Sequence, residues 1–365
     1  MLSCFCEDMK EVDLVLSLSH IVGTIQKALF TVEEEWGPLT ASEQQVLKVV
    51  ELADVDRIVG PPRRGWRGRP EADRRPLARA LIAMKVMNLP TRRALLDRLE
   101  SSPRLRRLCG WERRDEIPTE ATLSRAFLQF AKGELPTRVH KALIERMHEN
   151  RVVGHVSRDS TAIHARERAK KRAKGVKKPK ENPTRLERQA AGMGLQEMLD
   201  DLPNACDHGC KRNSRGHLEN WRGYKLHIDW ADGEIPLSCI LTSASVHDSQ
   251  VALPLAELTR NRVVSLYDLM DSAYDSEIIR QHSLSLGHVP IIDRNKRNRR
   301  EGPDPFDPAK ALRYNERTTA ERGMGRLKDD FGARMVRVRG AVKVMADLMF
   351  AILALTADRL LQLLC

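Results

Sequence analysis

Hydrophobic positions in residues 1–150 recur at intervals of three and four, which is the spacing of amphipathic helices. Apolar residues follow this spacing from Val12 to Phe30 and again over 76–87. A threonine side chain can accept a hydrogen bond from the first turn of a helix, and it therefore marks a predicted helix start. The predicted starts are at Thr40, Thr91, Thr119 and Thr137. The pattern predicts an all-helical N-terminal part built from several short helices.

From residue 151 onward, apolar and polar residues alternate, as they do in β-strands. The alternation is strict over 222–230, and Asp232–Gly233 predicts a tight turn into a second strand over 234–245. Further strands are predicted over 151–159, 263–271 and 289–293, and helices over 249–260, 313–330 and 342–364. Strands interspersed with helices predict an α/β fold, an open sheet with helices on both faces. The last and most apolar helix is predicted to form part of that cover.

These changes of pattern predict the domain organisation. Residues 1–60 form a helical segment, 61–75 a basic linker and 76–150 a second helical region. Residues 151–365 form the α/β domain, which contains a basic insertion at about 164–220. A chain of 365 residues is long enough for two or three such units.

The charge of the chain predicts its class of partner. A net charge of +12 and a pI of about 9.5 favour a polyanion. The longest apolar run, 348–357, is too short to cross a bilayer, and Glu7 and Asp8 interrupt the stretch that a secretion signal would need. The odd number of cysteines, seven, fits a reducing compartment. The predicted partner is therefore nucleic acid rather than a membrane, and the predicted location is the cytoplasm.

Three basic regions are candidates for contact with nucleic acid, and each has a structural alternative. The stretch 61–70 is either a solvated linker or an arm along phosphates. The helix after Thr91 belongs either to a helix-turn-helix or to a purely structural bundle. Between residues 166 and 188, eleven Lys or Arg stand against three Glu, which is typical of a solvated segment but also suits DNA contact. The candidate side chains in the last two regions are Arg92, Arg93, Lys170, Lys171 and Arg172.

A helix predicted over 313–330 carries the strongest local pattern. Tyr314, Arg317, Glu321 and Lys328 are separated by three, four and seven residues, and at ~100° per residue they fall within about 60° of one another. A carboxylate on such a face can bind a metal ion while Arg and Lys hold phosphates beside it. The alternative is an exposed face with ordinary ion pairs.

Two aspartates complete this pattern. Asp159 and Asp271 each stand at the end of a predicted strand, where an open sheet places functional groups. Together with Glu321 they form a set of oxygen donors suited to Mg²⁺ or Mn²⁺, and two such ions about 4 Å apart can support in-line phosphoryl transfer. Asp268 is three residues from Asp271 and points to the other face of the strand. Asp248, which follows His247 after a strand, either supports the site or belongs to a simple helix cap.

The chain resembles the cut-and-paste insertion-sequence transposases, whose ribonuclease-H-like domain carries three acidic residues. Four segments carry the resemblance: SRDSTAI around Asp159, LMDSAYDSEII around Asp271, the pair RGYKLHIDWADG and SASVHDSQ, and the Tyr-x₂-Arg-x₃-Glu-x₆-Lys helix at 314–328. Upstream, residues 80–111 and IPTEATLSRAF resemble the helical N-terminal domain of the family, so the likeness spans roughly 75–360.

The resemblance implies a mixed ribonuclease-H-like sheet and a catalytic role for three residues. Asp159, Asp271 and Glu321 would bind two Mg²⁺ ions, with Mn²⁺ as an alternative, and Tyr314, Arg317 and Lys328 would contact the transposon end. The expected activity is metal-dependent cleavage at transposon ends followed by strand transfer into target DNA, with residues 76–150 recognising DNA. A homo-oligomer, a dimer on DNA, would bring two ends together in a nucleoid-associated complex. The alternatives are a DNA-binding derivative without catalysis and a nuclease on the same scaffold.

Overall fold

The computed structural model describes residues 20–61, 72–149, 151–169, 182–212, 217–294 and 307–364. The chain divides into two compact units. Unit 1 contains residues 1–143, 330–332 and 346–365, and unit 2 contains 144–329 and 333–345. The predicted domain boundaries remain predictions. None of the described helices is long and apolar enough to span a membrane.

Unit 1 is helical, as the three- and four-residue spacing predicts. Its helices are α1 (20–36), α2 (Ala41–Ala53), α3 (Val55–Val59), α4 (Arg74–Val86), α5 (Arg92–Ser101), α6 (Pro103–Cys109), α7 (Glu120–Lys132) and most of α8 (Leu135–His148). The predicted caps are confirmed for α2, α5 and α7, where the hydroxyls of Thr40, Thr91 and Thr119 each accept a backbone N–H from the first turn. The helix α8 begins two residues before the predicted start at Thr137.

The C-terminal helix α15 (Ala341–Leu364) lies, from Ala346 onward, in unit 1. The Phe350 ring packs against Phe127 with 6.3 Å between centroids, and Lys85 Nζ lies 2.8 Å from Asp347 Oδ2. The prediction that this helix covers the sheet is therefore wrong for its main apolar part. A helix that is apolar on every side must be buried, but its sequence does not say in which core.

Unit 2 is built on one mixed sheet. Among the described residues the sheet has seven strands: β1 (Val152–Ala165), β2 (Asp207–Arg212), β3 (Leu218–Ala231), β4 (Ile235–Ser243), β5 (Val264–Met270), β6 (Val289–Ile292) and β7 (Met335–Val336). The strand order is β2-β3-β1-β5-β6, with β4 also paired to β3 and β7 to β1. Pairings of β3 are antiparallel, whereas β1–β5, β5–β6 and β1–β7 are parallel.

Helices cover both faces of this sheet. On one face Trp230 of β3 is fully buried against Gly323 of α14 (Thr318–Asp329). On the other face the neighbouring Asp229 accepts a hydrogen bond from Thr259 of α11 (Ala252–Arg260). The helix α12 (Glu277–Ser285) connects β5 to β6, and α13 (Pro308–Tyr314) precedes α14. The predicted fold class is confirmed, a mixed α/β sheet preceded by a helical part.

The described parts of the predicted insertion are folded. Residues 182–212 form α9 (Arg185–Ala190), α10 (Leu195–Asp201) and β2. Met198 is buried in a core cluster with Met270 and Tyr274 of the sheet region. Arg185 and Arg188 both pair with Asp201, so these two basic side chains are used within the unit.

Candidate active site

Parallel pairing brings Asp159 and Asp271 to neighbouring positions. In the β1–β5 register Arg158 is opposite Met270, and Asp159 and Asp271 directly follow these two residues in the chain. Asp271 leaves β5 and caps a short 3₁₀ turn, Ser272–Tyr274, by accepting the Ala273 N–H at 2.9 Å. Asp159 does not end its strand as predicted, because β1 continues to Ala165 through antiparallel pairing with β3. Asp159 lies instead at the position where the parallel pairing of β1 with β5 ends.

Both aspartates are poorly solvated. Burial raises the pKa of Asp159 to about 7, the Ser160 N–H at 2.7 Å opposes this shift, and the nearby Asp271 carboxylate adds to it. Burial also raises the pKa of Asp271, and Asp248 adds to that shift. Two carboxylates that repel each other in a shielded position make this edge of the sheet a place where a cation binds favourably.

Arg317 joins Asp159 to Glu321. Its Nη1 lies 3.9 Å from Asp159 Oδ2, and its Nη2 lies 2.8 Å from Glu321 Oε1. Only 23% of the Asp159 side chain is exposed, against 59% for Glu321. Within the described residues, no three Asp, Glu, His or Cys side chains lie close enough together to hold a metal ion as they stand. Glu321 instead forms an ion pair with the Arg317 guanidinium.

The predicted continuous helix over 313–330 is wrong. α13 ends at Tyr314, a 3₁₀ turn spans Asn315–Arg317, and α14 begins at Thr318. The Thr318 hydroxyl donates to the Asn315 carbonyl oxygen at 3.0 Å, a local bond of the kind that competes with regular helix bonding. The 3₁₀ turn rotates more per residue than an α-helix, so the calculated single face does not apply across it.

Tyr314 and Lys328 nevertheless flank the same cluster. The Arg317 guanidinium lies 5.8 Å from the centroid of the Tyr314 ring. Burial lowers the pKa of Lys328, as do the nearby cations Lys211 and Arg334. The structure thus brings Asp159, Arg317, Glu321 and Tyr314 together and places Lys328 further along α14.

A polar network beside the aspartates includes two residues that sequence reasoning missed. Asp248 accepts the Ser160 hydroxyl at 2.9 Å and Lys225 Nζ at 3.1 Å. Burial opposes ionisation of Asp248, but His227 and Lys225 outweigh it, so its pKa is lowered. His247 provides the cap, since its Nδ1 accepts the Ser249 N–H. Lys225 and Ser160 carry no sequence signal, because ordinary strand alternation accounts for both.

The opposite face of the sheet holds a buried ion pair that serves packing. Arg158 Nε and Nη2 donate to the two carboxylate oxygens of Asp229 at 2.8 and 2.7 Å. Asp268 is buried beside His288, whose Nδ1 lies 3.3 Å from its carboxylate. The prediction that Asp268 points away from Asp271 fits this position.

The remaining predicted DNA-binding residues differ in their surroundings. Arg93 is exposed and pairs with Asp97, whereas the guanidinium of Arg92 lies 4.2 Å from the centroid of the Phe127 ring. Lys170, Lys171 and Arg172 lie outside the described residues. Their contact with DNA stays a prediction.

Comparison with protein families identifies both parts of the chain. A family model described as "Transposase DDE domain" matches residues 159–357, which is more than half of the chain. A second, described as "Transposase domain (DUF772)", matches residues 33–128. No match was found among curated proteins. The first match begins at Asp159, on the strand that carries the candidate site. The chain belongs to the insertion-sequence transposases that carry a DDE domain.

Proposed function

We propose that this transposase is an active enzyme that cuts DNA at transposon ends and joins the freed 3′ ends to target DNA. Asp159, Asp271 and Glu321 are its catalytic carboxylates. The observation that carries the proposal is the Arg317 guanidinium, which contacts Asp159 from the sheet and Glu321 from α14. Because Arg317 contacts both side chains, it holds Glu321 beside the two aspartates, although the three carboxylates come from separate elements.

The donor set fits hard divalent cations. Carboxylate oxygens are preferred ligands of Mg²⁺ and Mn²⁺. Burial and the neighbouring Asp271 charge raise the pKa of Asp159, which means that the ionised pair is costly without a compensating cation. We propose two Mg²⁺ ions, with Mn²⁺ as an alternative, held by Asp159 and Asp271 and by Glu321 after it leaves Arg317. Bound there, the ions supply Lewis acidity to the attacking and leaving oxygens.

The reaction consists of two phosphoryl transfers. In the first, a water oxygen bonds to phosphorus and the bond to the 3′ oxygen breaks, which yields a 3′-hydroxyl and a 5′-phosphate. In the second, that 3′-hydroxyl attacks a target phosphodiester and displaces another 3′ oxygen, so the number of phosphodiester bonds is conserved. Neither step needs a redox partner or a nucleotide cofactor.

Tyr314, Arg317 and Lys328 position the substrate, in the Tyr-Arg-Glu-Lys arrangement of the resembled branch. The guanidinium of Arg317 is a rigid fork of donors that suits phosphate as well as carboxylate. A phosphate near the cut bond would therefore compete with Glu321 for Arg317 and release that carboxylate. Tyr314, which lies beside Arg317, limits the directions in which the guanidinium can turn.

DNA recognition is proposed for the helical residues 76–150, with exposed Arg93 as the better placed of its two candidate arginines. The basic residues Lys170, Lys171 and Arg172 are proposed to contact DNA as well. The reaction requires two ends to be brought together, and we therefore propose a dimer on double-stranded DNA, in the cytoplasm and associated with the nucleoid.

The test is strand cleavage and joining on a labelled duplex that carries the ends of the element encoding this chain. Wild type, Glu321→Gln and Glu316→Gln are compared with Mg²⁺ and with EDTA. Glu316 is the matched control, since it is an exposed glutamate five residues away, in the 3₁₀ turn. We expect metal-dependent joined products with wild type and Glu316→Gln, and a loss of at least about 100-fold with Glu321→Gln.

Two other outcomes would replace the proposal. Tight binding without cleavage by any of the three proteins would make the chain a DNA-binding derivative. Cleavage without joining would make it a nuclease on the same scaffold.

A further inference from the structure

A basic pocket lies beside Lys328, outside the three carboxylates. Its cavity of about 320 Å³ is lined by side chains from five parts of unit 2, including His164 of β1, Lys211 of β2, Lys328 of α14 and Arg334 before β7. Trp221 of β3 also lines it. Three cations that are distant in sequence thus meet around one cavity.

The cations of this basic pocket are incompletely neutralised. Burial and the nearby cations Lys211 and Arg334 lower the pKa of Lys328, and the charges of Asp329 and Asp159 only partly oppose this shift. Lys211 pairs with Glu219 at 3.7 Å, with both side chains about half exposed. Arg334 pairs with Asp329 in an equally exposed position. Exposed pairs of this kind contribute little, so an arriving anion can displace them at low cost.

The wall of the pocket is rigid. Trp221 is buried, and its Nε1–H donates to the Tyr224 carbonyl oxygen at 3.0 Å. The paired residue on β2 is Gly209, where a Cβ would come within 2.3 Å of the indole ring. The close approach of β2 to Trp221 fixes the position of the strand that carries Lys211. The backbone that carries Lys211 is therefore in place before a ligand binds, which reduces the entropy lost on binding.

We propose that this basic pocket binds a backbone phosphate of the transposon end about three nucleotides from the cut bond. Lys328 is seven residues beyond Glu321 in α14, which corresponds to ~10.5 Å along the helix. For DNA that lies along α14, with a rise of ~3.4 Å per nucleotide on each strand, the same distance covers about three nucleotides. The inference rests on the proposed function for the position of the cut, and it assigns Lys211 and Arg334 to the substrate site.

Binding is tested with the full chain in EDTA, on the end duplex, over a range of salt concentrations. We expect Lys211→Gln with Arg334→Gln to weaken binding at least about 10-fold and to reduce the slope of log K against log salt by about 2. Arg260→Gln is the matched control, since Arg260 is an exposed, paired arginine on α11 away from the pocket. It should leave both quantities close to wild type.

Single methylphosphonate substitutions then locate the phosphate. In wild type, neutralising one phosphate about three nucleotides from the cut should weaken binding, and in the double variant the same substitution should have no further effect. The charge-conserving pair Lys211→Arg with Arg334→Lys should restore affinity, and thermal melting checks that every variant is folded. Unchanged affinity and salt slope in a folded double variant would overturn the pocket assignment.

These outcomes are distinct from failure of the proposed function. A wild-type protein that binds the end duplex through this pocket but never cuts it would refute catalysis and leave the phosphate site standing. A wild-type protein that cuts and joins, together with a double variant that binds as tightly, would refute the pocket alone.

Discussion

At the scale of single residues, the site is controlled by which cation each carboxylate faces. Arg317 neutralises Glu321, and Lys225 Nζ lies 3.1 Å from Asp248 Oδ1 and keeps that carboxylate ionised. Among the described residues, neither Asp159 nor Asp271 has so close a charged partner: the Arg317 Nη1 lies 3.9 Å from Asp159 Oδ2. An incoming divalent ion therefore gains most from these two aspartates.

Asp248 should add to that affinity without being a proposed ligand. Its charge acts on both Asp159 and Asp271, and its hydrogen bond to Ser160 fixes the residue next to Asp159. We expect Asp248→Asn to weaken Mn²⁺ binding about 10-fold while the protein stays folded, because the amide keeps an oxygen acceptor but loses the charge. Titration of free Mn²⁺ by electron paramagnetic resonance measures this without any need for activity.

Asp201→Asn serves as the control for Asp248→Asn. Asp201 is also a part-buried carboxylate held by cations, here Arg185 and Arg188, but it does not act on the two aspartates. Equal Mn²⁺ affinities for wild type and Asp248→Asn would show that Asp248 has only a structural role.

At the scale of secondary structure, the contact between α14 and the sheet positions Glu321. A Cβ on Gly323 would lie 2.3 Å from the ring of Trp230, which is fully buried and has no space to move. We expect Gly323→Ala to lower the free energy of unfolding by about 1–3 kcal/mol, because the helix must move away from the strand. Urea denaturation measures this, and strand cleavage should fall as Glu321 moves away.

Gly325 lies on the same helix but has open space where a Cβ would be added, so it serves as the control for Gly323. Nothing lies within 4 Å of a Cβ placed there. Alanine has the higher helix propensity, so Gly325→Ala should leave stability unchanged or raise it by up to about 1 kcal/mol. A comparable loss in both variants would mean that the contact with Trp230 does not explain the effect at Gly323.

The strands β1 and β3 and the helix α15 show which structural features a sequence pattern predicts and which it does not. Alternation predicts β3 and its turn because one face is apolar, but it cannot show that Asp229 on the other face is buried as well, since Arg158 supplies its charge partner from a different strand. The end of β1 was predicted too early, because the polar residues around Asp159 hide the long pairing with β3. Local pattern likewise gives the apolar character of α15, but not the Phe127 contact that assigns Phe350 to unit 1.

The sequence predicts the candidate site from the chemistry of its residues rather than from their geometry. Carboxylates at fixed places in strong motifs identify Asp159, Asp271 and Glu321. The Arg317 bridge depends on the 3₁₀ turn at Asn315–Arg317, which a regular helical spacing cannot predict. Lys211 and Arg334 are ordinary surface residues in sequence, and only the fold brings them to Lys328.

At the scale of the whole molecule, acid affects stability in two opposite directions. Asp159 has a raised pKa when folded, so its contribution to stability is present at low pH and is lost as the pH rises through about 7. His148 has the reverse sign: burial, with help from Arg151, lowers its pKa to about 4. The contribution of neutral His148 to stability is complete above about pH 6.5, the pKa of histidine in the unfolded chain. This contribution is lost as the pH falls toward 4. The measured profile of the intact chain is the sum of such terms, so a single histidine must be isolated by difference.

His148→Gln isolates this contribution, because glutamine does not titrate. Between pH 7.5 and pH 5.5 we expect wild type to lose about 1 kcal/mol more unfolding free energy than the variant, measured by urea denaturation at both values. The surrounding charges, which remain in both proteins, include Glu145, Glu149, Arg151, Arg260 and Arg262. Their own pH dependence therefore cancels in the comparison. An equal loss in both proteins would mean that His148 accepts a proton in the folded state as readily as in the unfolded chain, and that its burial carries no electrostatic cost.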